Sequence, residues 1–122
     1  MGYAPEDIPD NDDLYMRIHR NTIREGAPFA GVFKNHGRGM STNWSKYADA
    51  NATRAQGAQN AGAYGVLSIR VGDVRSIPEQ VVVHTPEPDN RAHTDVEGEK
   101  KDVEIRFKYY NFASIVIQPN IA

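Results

Sequence analysis

The chain has 122 residues, 39% apolar and 25% charged, with no cysteine and a formal net charge of −2. That is the composition of an ordinary globular domain, and surface scaling lets about two-thirds of its area be buried, enough for one core. Disulfide frameworks, thiolate nucleophiles and cysteine zinc sites are excluded. The apolar runs are too short for a membrane-spanning helix or a secretory signal, which predicts a cytoplasmic protein with no membrane association.

Glu6, Asp7, Asp10, Asp12 and Asp13 place five acids and no base in the first 13 residues. With Pro5, Pro9 and a single branched apolar residue, Ile8, residues 1–13 are predicted to be a flexible acidic arm ahead of a globular domain, 14–122. The remainder sets 14 basic against 11 acidic residues, a net +3. That excess is too small to announce a dedicated nucleic-acid binder.

Leu14, Met16 and Ile18 alternate with Tyr15, Arg17 and His19, the period of a strand. Gly26 and Pro28 break the chain before Phe29-Ala30-Gly31-Val32-Phe33, whose two phenylalanines are expected core anchors, and Asn35 to Gly39 has loop composition. Met40 to Tyr47 reads as a brief extended piece giving way to a helix. That one marginal surface helix lies near residues 45–56, capped by Asn43 or Ser45, and a mobile Gly57–Gly62 loop follows. Gly65 to Val71 is a strand with Leu67, Ile69 and Val71 on one face, and 72–77 is one helical turn or a bend, ended by Pro78. Gln80 to His84 suits a central strand, Thr85 to Asn90 an exposed loop, and Ala92 to Glu97 a further strand. In 102–109, Val103, Ile105, Phe107 and Tyr109 alternate with Asp102, Glu104, Arg106 and Lys108, predicting a half-buried strand. Phe112 to Ile117 is the last. The expected fold is α+β: a single small domain with a largely antiparallel sheet and one or two short helices.

His84 and His93 sit where two predicted strands meet the Thr85–Arg91 loop. If those strands form a hairpin, the imidazoles share one end of the sheet with Asn90 and Arg91 and divide acid and base roles near neutral pH. Arg17 or Arg91 then holds phosphate through its two-pronged guanidinium. Alternatively, both histidines are structural. A set built from His84, His93 and Asp95 or Glu97 lacks the spacing of an HExxH or cysteine-pair site, so no metal and no cofactor are assigned. A second cluster comprises Arg17, His19 and Arg20 with Ser41, Thr42 and Trp44, in which Trp44 either stacks on a planar ring or fills the core.

The LYMRIHR segment followed by MSTNW resembles the arginine and Ser-Thr segments of ADP-ribosyltransferase-like folds. That resemblance implies NAD-positioning residues, with Glu97 or Glu104 standing where those folds have a glutamate on a later strand. More broadly, LYMRIHR, MSTNW, YGVLSIRVGD and PEPDNRAH resemble the outline of a group of small uncharacterised bacterial proteins, which implies a standalone bacterial domain and no residue roles. By subtraction, the sequence reads as a non-catalytic binding or accessory protein of a bacterial multi-protein system, with a protein partner. The alternative is a small nucleotide- or RNA-directed enzyme of transferase or nuclease type, using His84 and His93 with Arg17 or Arg91. Its ligand-binding residues are expected among Arg17, His19, Trp44, Asn90 and Arg91.

Overall fold

The alternation that begins at Leu14 gives β1 (Asp13–His19), which buries Leu14, Met16 and Ile18 on one face. In the computed structural model, which describes residues 2–120, β1 lies near the middle of a six-stranded antiparallel sheet. The other strands are β4 (Met40–Trp44), β5 (Tyr64–Arg70), β6 (Val81–His84), β7 (His93–Glu97) and β8 (Ser114–Ile117), in the order β6-β7-β4-β1-β5-β8. A small ribbon, β2 (Ile23–Arg24) and β3 (Ala27–Pro28), belongs to the excursion between β1 and β4. Among the described residues three short α-helices complete the α+β domain: α1 (Ala50–Ala55), α2 (Val71–Ser76) and α3 (Val103–Phe112). Among the described residues no helix is long and apolar enough to cross a membrane.

Register assigns the two faces of the sheet. Leu14 lies opposite both Trp44 and Ile69, Met16 opposite Leu67, and Val82 opposite Val96, so these side chains share one face. With Val71, Val74 and Ile77 around α2, and Phe33 stacked on Tyr109 of α3 at 5.3 Å between ring centres, they form the core. Tyr15, Arg17, Asn43, His93 and Val66 occupy the other face. There α1 packs on β1 and β5, with Asp49 capping its first turn through Ala52 N at 2.7 Å.

Five expectations are corrected. Residues 102–109 begin a helix rather than a strand. Asp102 caps it by accepting from Glu104 N at 2.8 Å, and the four-residue spacing of half-buried Ile105 and buried Tyr109 brings both to the core, leaving Val103 and Phe107 exposed. The same eight residues satisfy both periods, and the contact with Phe33 selects the helical one. The strand 81–84 is an edge, not a centre. Phe29 is 48% exposed beneath the Arg24 guanidinium, while Phe33 alone is the core anchor. The Gly57–Gly62 stretch lies largely within a 3-10 helix, Ala58–Ala63, to which Arg54 donates at Ala61 O and Gly62 O.

The fifth correction concerns the acidic segment, which is docked rather than free. Ile8 is 4% exposed within the core. The carbonyls of Asp10 and Asp12 accept from the first-turn amides of Gly72 and Val71, each at 2.9 Å, groups that a helix leaves without internal partners. Arg75 donates to Ile8 O and Asp10 Oδ1, and the Trp44 indole to Asp12 Oδ2 at 2.8 Å. Glu6 accepts from Lys46 Nζ at 2.9 Å and from the Tyr47 hydroxyl, bonds that hold its carboxyl below the usual range. Opposite charge on the body thus offsets the ordering entropy that composition alone leaves uncompensated.

Candidate functional site

The β1–β4 ladder consists of Leu14↔Trp44 and Tyr15↔Asn43 and stops there, although β1 runs on to His19 and β4 begins at Met40. Each strand continues instead with its outer neighbour, β1 with β5 through His19↔Tyr64 and β4 with β7 through Met40↔Val96. Two glycines at this end mark close approaches, Gly39 of the β4 entry to β7 and Gly65 of β5 to β8. A Cβ on Gly39 would meet Val96 O at 2.9 Å, and one on Gly65 would meet Ile117 O at 2.6 Å. The sheet therefore divides like a fork, and a cleft of about 750 Å³ opens at the division, a size within the range of ligand pockets.

One side of the cleft is polar. Asn43, 4% exposed, donates from Nδ2 to Thr53 Oγ1 at 3.1 Å and Gln56 Oε1 at 2.9 Å, and its Oδ1 accepts from Asn90 Nδ2 at 2.9 Å. Arg17 donates from the same guanidinium nitrogen to Thr53 O and Gln56 Oε1, at 3.2 and 3.1 Å, and lies 5.9 Å from the Tyr64 ring centre. Asn90 Oδ1 in turn accepts from Ala92 N, so β1, β4, α1 and the 85–92 loop share one hydrogen-bonded network. Such a network fixes side-chain positions before any ligand arrives. Met16, Ile18, Val32 and Met40 provide apolar lining. The charged lining is Arg17 and Lys34 against Glu87, with three histidines, His19, His36 and His93, so the cleft leans cationic.

The histidines anticipated as an acid–base pair do not meet. His84 lies opposite Thr94, one residue from His93, so successive strand positions send the two imidazoles to opposite faces. His84 is 3% exposed against Trp44 and Tyr47. Its Nδ1 accepts from Glu6 N at 3.0 Å, so Nε2–H is the donor to Arg91 O at 2.7 Å, and both nitrogens are occupied. His93 faces the cleft with Nδ1 2.9 Å from Thr85 Oγ1 and 3.0 Å from Thr85 O, and Nε2 3.9 Å from Asp95 Oδ1.

Of the residues anticipated for ligand binding, Arg17, His19 and Asn90 line the cleft together with His93. Trp44 and Arg91 do not. Trp44 is 1% exposed in the core, and the Arg91 guanidinium lies between the rings of Tyr3 and Tyr47, at 4.8 and 4.2 Å, in the N-terminal contact. Ser41 and Thr42 of the second sequence cluster do join Arg17 and His19 in the cleft. Neither Glu97 nor Glu104 lines it. Sequence reasoning missed Gln56 and Thr53, whose only signal is their helical spacing of three within an otherwise bland tract. Among the described residues no three His, Cys, Asp or Glu side chains gather as a metal-ligand set. Comparison with protein-family models, curated proteins and solved structures finds no match.

Proposed function

We propose that the protein is a cytoplasmic, non-catalytic binding or accessory component of a bacterial multi-protein system, and that it engages its protein partner in the β1–β4 cleft. The observation that carries this reading is the fork itself: two strands part beside a fixed Arg17–Gln56–Asn43–Asn90 network, leaving open space where a sheet would normally continue. The separation of His84 from His93 by the thickness of the sheet supports binding over acid–base catalysis, because one substrate atom cannot reach both groups.

The test compares capture from a host lysate by the wild-type chain and by Ser41→Trp. Ser41 is exposed at the cleft, so the indole obstructs it without entering the core. Loss of one specific partner with the variant, at unchanged circular dichroism, is the expected result. Retention of every partner, or hydrolysis of RNA or nucleoside triphosphates that disappears in His93→Ala, would overturn the reading.

A further inference from the structure

The direction of the backbone groups inside the fork says what kind of ligand completes it. Asp13 O accepts from Ser45 N at 2.9 Å, so the odd-numbered residues of β1 turn their N–H and C=O toward β4. Trp44 N donates to Ala92 O at 2.8 Å, so the even-numbered residues of β4 turn toward β7 and the odd-numbered ones toward β1. Beyond Tyr15↔Asn43 this alternation leaves Arg17 on one prong and Ser41 on the other, each directing one donor and one acceptor into the cleft with no ladder partner. Backbone groups of this kind are ordinarily paired, and an unpaired strand edge is a template for another strand.

Building on the binding reading above, we propose that the fork receives an extended segment of a partner polypeptide as an added strand, antiparallel to one prong and parallel to the other. The two sides of the cleft specify that segment's side chains. On one side of the sheet stand Arg17, His19 and His93, and among the described residues Glu87 is the lone carboxylate in the lining. On the other stand Met16, Ile18 and Met40, two of them the adaptable side chains suited to varied apolar partners. Because successive strand residues point to opposite faces, the segment carries acidic residues at alternate positions and apolar residues between them. Backbone hydrogen bonds supply a sequence-independent part of the affinity and the alternating side chains the selectivity, as in other strand-addition modes.

The experiment displays a library of random ten-residue peptides to the full chain and to two variants. Ser41→Pro deletes the N–H that faces the cleft, and Arg17→Glu reverses the main charge on the polar side. Selected peptides are expected to alternate acidic and apolar residues, to bind Ser41→Pro about tenfold or more weakly, and to give way to basic peptides in selections on Arg17→Glu. Amide exchange on the wild-type chain needs no variant to fold: a selected peptide must slow exchange at Arg17 and Ser41. No enrichment, enrichment without alternation, or binding that leaves both amides exchanging as before would overturn the proposal. So would complete displacement of the peptides by inorganic pyrophosphate at equal concentration, which would make the cleft a phosphate site. If no peptide is selected while Ser41→Trp still loses its lysate partner, the strand is wrong and the binding reading stands; if Ser41→Trp loses nothing, both fall.

Discussion

Replacing Lys100 with methionine should abolish a rise in stability that the wild-type protein shows between pH 8 and pH 10. Lys100 is 2% exposed, and among the described residues its ammonium donates only to neutral oxygens, Asn35 Oδ1 at 2.5 Å, Val96 O at 2.7 Å and Gly98 O at 3.0 Å. Burial outweighs the more distant charges of Glu99, Glu97 and Asp95 and lowers its pKa from 10.5 to about 8. Through the window from pH 8 to pH 10 the folded chain therefore gives up this proton while the unfolded chain keeps it. Unfolding then takes up a proton, and stability increases with pH, by about 2 kcal/mol over the two units. Tyr109 acts oppositely but later: burial raises its pKa, so its contribution is lost only as the unfolded chain's tyrosine ionises near pH 10. Urea unfolding followed by Trp44 fluorescence at pH 7, 8, 9 and 10 gives the wild-type and Lys100→Met curves. Their difference cancels every group the two proteins share. A difference that stays flat across pH 8–10, or falls with pH in the wild type's disfavour, would show that Lys100 does not hold a destabilised charge.

Deleting residues 2–10 should lower the thermal midpoint by about 10 °C or more, since burial of Ile8 alone contributes roughly 2 kcal/mol; a shift below about 3 °C in scanning calorimetry would mean that the segment does not pack. Asp102→Ala should cost about 1 kcal/mol by removing the α3 cap, and a variant with unchanged stability and helical circular dichroism would return 102–109 to an extended form.

What could be read from the chain depended on whether a local pattern met a competing tertiary contact. The Leu14–His19 pattern met none, nor did the Gly65–Val71 pattern as far as Arg70, because both segments pair in the register that buries their apolar face, and Val71 instead opens α2. The 102–109 segment alternates more cleanly than either, yet Ile105 and Tyr109 also stand four apart behind a capping Asp102, and stacking on Phe33 decided between the periods. The N-terminal acids looked solvent-bound because their partners, Lys46, Tyr47, Trp44 and Arg75, lie more than thirty residues away. Arg17, His19, Asn90 and His93, singled out by residue type, all line the cleft. The expected meeting of His84 with His93 at one end of the sheet failed on one residue of register, since neighbouring strand positions lie on opposite faces. The cleft depends on where a ladder stops, and its sequence trace is confined to Gly39, whose missing side chain lets the start of β4 lie close to β7.

Backbone amide exchange in the free protein tests the open fork most directly. Met16 and Ile18 direct their amides to β5 and Thr42 to β7, whereas Arg17 and Ser41 direct theirs into the cleft. The structure predicts slow exchange at Met16, Ile18 and Thr42 and exchange at least about a hundredfold faster at Arg17 and Ser41, the difference between a laddered strand amide and one open to water. Protection at Arg17 and Ser41 equal to that of their neighbours would mean that β1 and β4 pair along their full length, and that the cleft on which the functional account rests does not exist.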